Sequence, residues 1–182
     1  MHSALQHAVV AAGVFLLSGV EVLAQTTVTM PDTSQTTTVS ASVSEQARIT
    51  VPAGIAFNVT NVGSITVANA ATLTVDQIVL SSATKQLRLS LQAATGSFAP
   101  PVVGATTWAA GDVSWNAASW TAATGASGTL SSSVYSTVAT CNAGATTCST
   151  TGLTFSLAAK PTVQRSGTHT LVVMWKVESI GS

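Results

Sequence analysis

Apolar and polar residues alternate with a period of two through much of the chain after residue 24. Five runs show this most clearly. Their apolar residues are Val39/Ala41/Val43, Ile55/Phe57/Val59, Leu87/Leu89/Leu91, Leu153/Phe155/Leu157 and Leu171/Val173/Trp175/Val177. Such alternation, in a chain rich in Val and Thr, is typical of half-buried β-strands. In the last run Val172 and Met174 are apolar as well, which predicts a central strand packed on both faces or a strand covered by another segment.

Turn-forming residues separate these runs at short intervals. They include Pro52-Ala53-Gly54, Asn61-Val62-Gly63, Pro100-Pro101 and Ser166-Gly167. No stretch after residue 24 has apolar residues at helical spacing. Regularly spaced short strands without helices predict an all-β fold, an antiparallel β-sandwich. The alternative is disorder caused by the high Ser and Thr content, which conflicts with the density of branched apolar residues.

The first 24 residues have the pattern of a secretory signal peptide. An apolar run over residues 8–17 is too short to cross a bilayer, and Val22 and Ala24 fit a signal-peptidase site. A buried N-terminal helix or tail is the alternative interpretation. We therefore expect a signal peptide at 1–24, an extended N-terminal arm at 25–35 and a β-sandwich domain at 36–182. The mature protein is then secreted, extracellular or at the cell surface, with the periplasm as a place of transit.

Charged residues make up only 7% of the chain, and the formal net charge is zero. Without a basic stripe, or aromatic residues interleaved with Arg and Lys, nucleic-acid binding is not expected. The mature chain has no apolar run long enough for a transmembrane span. Weak charge repulsion between copies favours self-association.

Two cysteines, Cys141 and Cys148, enclose a six-residue segment, NAGATT. In an exported protein an even number of cysteines indicates a disulfide. Free thiols are one alternative. A metal site is another, but the spacing is not that of a zinc site and the mature chain has a single histidine. The disulfide is expected to hold a surface loop and to stabilise the fold by roughly 2–3 kcal/mol.

The arm at 25–35 is the candidate donor strand for contact with another copy. Val28 and Met30 lie on one face of an extended chain, and Pro31 restricts the segment to an edge strand or a mobile arm. Such an arm can add a strand to the open sheet edge of a neighbour. Burial of Val28 and Met30 would contribute roughly 3–6 kcal/mol before ordering costs, so Val39, Ala41 and Val43 are expected to contribute as well. The alternative is that the arm caps its own sheet.

Three tryptophans, Trp108, Trp115 and Trp120, form a loose repeat and a second candidate site. A turn at residues 116–119 would place Trp115 and Trp120 opposite each other in a hairpin. The interpretations left open are core or hairpin packing, an aromatic interface between subunits, and an exposed patch that stacks on glycans.

Catalysis has little support in the sequence. The acids of the mature chain are scattered, no Gly-x-Ser-x-Gly motif is present, and His169 is best explained as an ordinary strand residue. No phosphate-binding loop or calcium-binding pattern occurs. We expect no enzyme activity, no cofactor and no metal.

The two ends of the mature chain carry a family resemblance. A leader and a Thr-rich arm precede a first strand at 37–44 (TTVSASVS), and the chain closes on a strand at 166–177 (SGTHTLVVMWKV). This layout resembles secreted bacterial pilin-like domains, including the spore-coat-U type. His169 stands where that family usually has an aromatic residue, and the family usually places a cysteine in the first strand. The resemblance implies an Ig-like, pilin-like sandwich that assembles into fibres by strand donation, without enzymatic activity.

These observations predict a structural subunit of an extracellular fibre, pilus or surface coat. Its main partners would be copies of itself, together with a periplasmic chaperone or an outer-membrane secretion pore. The alternative is a monomeric carbohydrate-binding or adhesive module that uses the tryptophans. A third hypothesis is an inert periplasmic domain of unrecognised role, with neither property.

Overall fold

The structure, a computed structural model, describes Met30 and residues 36–181. The chain divides into two compact units, Met1–Ala41 and Ser42–Ser182. In the first unit, residues 36–41 have no regular secondary structure and are exposed. The predicted signal peptide and the arm residues other than Met30 lie outside the described residues.

The second unit, which we call the body, is built from short strands. The strands are β1 (Gln46–Thr50), β2 (Thr66–Val67), β3 (Ala71–Val79), β4 (Gln86–Ala93), β5 (Val113–Trp115), β6 (Ala123–Gly125), β7 (Gly128–Thr129), β8 (Ser136–Cys141), β9 (Cys148–Leu153), β10 (Phe155–Leu157) and β11 (Val173–Ile180). A single turn of 3-10 helix, Ala110–Asp112, precedes β5.

These strands form three sheets in the orders β1-β3-β9, β2-β10-β5-β7 and β11-β4-β8-β6. Every pairing is antiparallel. The all-β, antiparallel, sandwich-like class predicted from the sequence is therefore confirmed. No helix in residues 36–181 has the length and apolar composition that a membrane span requires.

The core follows the alternation seen in the sequence. Leu87, Leu89 and Leu91 of β4 are buried. Thr154 alone separates β9 from β10, so Leu153, Phe155 and Leu157 continue one buried row through two sheets. A strand buries every second side chain, and this periodicity explains why both runs are readable from the sequence.

Three other periodic runs differ from the prediction. Residues 39–43 are exposed and form no strand, and residues 51–65 also lie outside the strands. The last run does form β11, but β11 is at the edge of its sheet and pairs only with β4. Of the two predicted alternatives, a central strand or a strand covered by another segment, the central strand does not hold within the described residues, where one side of β11 has no neighbouring strand.

The predicted disulfide between Cys141 and Cys148 is present, with their Cα atoms 5.9 Å apart. Both cysteines are buried, and most of the enclosed residues are exposed. Cys141 ends β8 and Cys148 begins β9, strands that belong to different sheets. The bridge therefore fixes a surface loop at the point where the chain passes from one sheet to the next.

Candidate functional site: an apolar groove beside β11

A wide groove of about 990 Å³ opens on one side of the body. One wall is the irregular segment 52–59, and the other runs from Val163 to Val173 and includes Trp175. We call this feature the groove. Its size and apolar lining make it the principal candidate binding site in the described part of the chain.

The wall at 52–59 has the side-chain pattern of a strand without a strand's hydrogen bonds. Ile55, Phe57 and Val59 are half-buried and pack against the core, whereas Ala56 and Asn58 between them are exposed. Among the described residues, no segment hydrogen-bonds to the backbone of residues 53–59. Backbone N–H and C=O groups of a partly buried segment require partners, so this wall can accept further hydrogen bonds.

The opposite wall ends in β11, which shows a matching row of apolar side chains. Leu171, Val173, Trp175 and Val177 are half-buried and pack against the core. Among the described strands β11 has β4 as its single neighbour, so within residues 36–181 no ladder pairs the backbone groups on its other side. The groove is thus bordered by two apolar rows and by an unpaired strand edge.

Core side chains form the floor of the groove. Trp108 is only 4% exposed. Its ring packs edge-on against Phe98, with centroids 6.4 Å apart, and against His169, with centroids 5.2 Å apart. Its indole Nε1 donates a 3.0 Å hydrogen bond to the carbonyl oxygen of Ala158. The floor is therefore apolar, and the polar atom of its largest side chain is already satisfied.

His169 fixes the end of the wall at 163–173. Its Nδ1 lies 2.7 Å from the hydroxyl oxygen of Thr107, and its Nε2 lies 3.3 Å from the carbonyl oxygen of Arg165. Because a carbonyl oxygen only accepts, Nε2 carries the hydrogen in the latter contact. These contacts tie the loop that contains Arg165 to the body and support a positioning role for His169 in the wall.

The charged side chains of the body are almost all engaged in ion pairs. The pairs are Arg48–Asp76, Lys85–Glu45, Arg88–Glu178, Lys160–Asp112 and Lys176–Glu178. Arg165 lines the groove, is exposed, and has no carboxylate partner in residues 36–181.

Hydrogen bonds from the side chain of Ser81, from Lys85 and from the backbone of Ser81 lower the pKa of Glu45 to about 2. The hydrogen bond from the Arg48 side chain lowers the pKa of Asp76. Both carboxylates are thus held ionised as structural groups. Among the described residues, no cluster of His, Cys, Asp or Glu has the arrangement of a metal site.

Trp108 and Trp115 do not form the exposed patch considered from the sequence, and Trp120 is half-buried against the core. Trp108 and Trp115 are each 4% exposed and belong to the core. The proposed hairpin between Trp115 and Trp120 is also wrong, since β5 pairs with β10 and β7. Trp115 Nε1 instead donates a 2.9 Å hydrogen bond to the carbonyl oxygen of Ala126. Rings enclosed in this way cannot stack on a glycan, and core packing describes Trp108 and Trp115.

Those candidate donor residues that the structure describes are exposed at the protein surface. Met30, Val39 and Val43 are 88%, 92% and 76% exposed, and Ala41 is exposed too. Val28 lies outside the described residues. Large apolar side chains with this degree of exposure at alternating positions are unusual unless another surface covers them.

Sequence reasoning missed the groove itself, although two signals pointed to it. One was the strand-like run at 55–59. The other was the apolar character of both faces of the last run, which suggested cover by another segment. Comparison with protein-family models, curated proteins and solved structures gave no match for this chain.

Proposed function

We propose that this chain is a structural subunit of an extracellular fibre or surface coat, assembled by β-strand donation. The arm of one copy lies in the groove of the next and pairs with β11. The observation that carries the proposal is the edge of β11, which has no strand beside it among the described residues and borders an apolar groove. The same chain has an arm whose sequence places apolar residues at alternating positions, Val28 and Met30, and Met30 is exposed.

The arm has the pattern expected of a strand that would fill the groove. An extended segment presents side chains to one face at every second position, and its backbone bonds to an open sheet edge. Val28 and Met30 have this spacing, and their burial would contribute roughly 3–6 kcal/mol before the cost of ordering the arm. Before assembly the same groove would be open, and a periplasmic chaperone strand is the temporary cover that the proposal expects.

Export supports the same function. The pattern of residues 1–24 is that of an export signal, and the Cys141–Cys148 disulfide suits an oxidising compartment. The low proportion of charged residues limits repulsion between stacked copies. A glycan-binding module is not favoured, because Trp108 and Trp115 are enclosed in the core.

Deletion of residues 25–35 tests this proposal. The deleted protein should keep its β-rich circular dichroism spectrum but should form no polymers in sedimentation or negative-stain electron microscopy. A matched variant, Val28→Ser with Met30→Ser, keeps the arm's length and should also prevent assembly, because only the apolar contacts are removed. Polymers that persist after the deletion would contradict strand donation, as would a wild-type protein that stays monomeric with its arm in its own groove.

A further inference from the structure

Arg165 is the one cation of the chain that is left without a carboxylate among the described residues. The chain has six Lys and Arg side chains in total. The other five bind carboxylates of the body. Arg165 is also the only Lys, Arg, Asp or Glu in the described lining of the groove.

The acidic residues can be assigned to ion pairs in the same way. Of the six Asp and Glu residues, Glu21 lies in the predicted signal peptide. The four acids of the body are all bound to cations. The remaining acid is Asp32, the only charged residue of the segment 25–44, and it lies outside the described residues. One negative charge therefore belongs to the arm and one positive charge to the groove.

We infer that Asp32 of one copy pairs with Arg165 of the next copy, and that this ion pair sets the register and direction of the inserted arm. The inference rests on the proposed strand donation and specifies its geometry. The occupant of the groove is thereby a defined segment of a second copy of this chain, residues 25–32.

The spacing along the arm fits this arrangement. Val28, Met30 and Asp32 share one face of an extended strand, because side chains alternate between faces. Met30 then lies about 7 Å from Asp32 along the strand, and Val28 about 13 Å. With the carboxylate on Arg165, near the start of the wall that leads from Val163 to Val173, the inference places the two apolar side chains beside the later residues of that wall.

The ion pair also gives the strand a direction. Residues before Asp32 enter the groove, and residues after it lead back to the donor's own body. The inserted strand therefore runs antiparallel to the wall that leads from Arg165 to Trp175. Pro31 has no N–H to donate to a ladder, which places the end of the pairing next to the ion pair.

The main effect of such an ion pair is to favour one register of the inserted strand over the others. An exposed ion pair contributes little affinity, but a like-charge contact at the same place disfavours assembly and slows it. Reversal of either charge should slow polymer growth about tenfold at low salt, and the effect should diminish as salt screens the charges.

The test uses two single variants of the full chain, Asp32→Arg and Arg165→Glu. Each variant alone places like charges at every arm–groove contact and should polymerise slowly. In an equimolar mixture, the arm of D32R meets the groove of R165E, and the arm of R165E meets the groove of D32R. Both contacts then have opposite charges, so the mixture should polymerise at the wild-type rate as an alternating copolymer. Light scattering gives the rates, and restored growth shows that both variants are folded.

A carboxylate moved by one residue serves as the matched control. The double variant Asp32→Thr, Thr33→Asp keeps the net charge and the composition but places the acid on the opposite face of the strand. It should polymerise more slowly than wild type, and the difference should be lost at high salt.

The outcomes separate this inference from the proposed function. If wild type polymerises and both single variants match its rate, the ion pair is wrong and strand donation stands. If each single variant is slow and the mixture is equally slow, pairing between copies is likewise wrong. If wild type forms no polymers at all, strand donation fails, and the ion pair fails with it.

Discussion

Gly128 of β7 lies against the ring of Trp115, which is buried in the core. A Cβ atom at position 128 would overlap Cζ2 of that ring, and the ring is further held by the hydrogen bond from its Nε1 to Ala126. The absence of a side chain at Gly128 is therefore what allows β7 to pair with β5 beside the tryptophan.

Substitution Gly128→Ala should destabilise the body by about 1–3 kcal/mol, because the indole has no free space into which it can move. Chemical denaturation measures this change in the free energy of unfolding. Gly111→Ala is the matched control, since a Cβ atom there has no neighbour within 4 Å. Equal effects of the two substitutions would contradict the close packing of Gly128 on Trp115.

At the scale of the element, the chain is held to the body immediately before β1. The carboxylate of Glu45 accepts a 2.8 Å hydrogen bond from the backbone N–H of Ser81 and a 2.9 Å bond from Nζ of Lys85. These contacts define where the exposed segment ends and the folded strand begins.

This contact predicts a specific dependence on pH. The pKa of Glu45 is lowered from 4.5 to about 2 in the folded protein, so the ionised form stabilises the fold. Its contribution is complete above about pH 4.5 and is lost as the pH falls towards 2. The difference in unfolding free energy between wild type and Glu45→Gln should therefore be constant near neutral pH and should shrink across that interval. A difference that does not change with pH would contradict the role given to Glu45.

The strands that sequence periodicity predicts well are those whose partners lie inside the body. Leu87, Leu89 and Leu91 of β4 are an example, since β4 is paired on both sides and packs on the core. Alternation reports which face of a segment is buried, and here the burial is complete within one chain.

Periodicity does not report which segments are neighbours. The run at 55–59 has alternating burial but no ladder, and β11 lies at an edge although its sequence resembles that of a central strand. Pairing depends on contacts distant in sequence, so neither fact was readable from local pattern. For the same reason the sequence did not distinguish enclosed tryptophans from exposed ones.

At the scale of the whole molecule, the body has a binding position that its described residues leave open. The two apolar rows along the groove, Ile55/Phe57/Val59 and Leu171/Val173/Trp175, are half-buried and pack against the core. A strand placed between them would complete their burial and would satisfy the free edge of β11. The central claim is that another copy supplies this strand.

Hydrogen exchange along β11 is the most direct test of that claim. In an antiparallel edge strand, every second backbone N–H points towards the paired neighbour, and the others point outwards. In the body lacking residues 25–35, the outward amides of β11 should exchange quickly and the amides facing β4 slowly. In the assembled wild type, the outward amides should exchange at least about 100-fold more slowly, because each has gained a partner on the inserted strand. The amides facing β4 act as an internal control, and equal exchange of the outward amides in both samples would contradict strand donation.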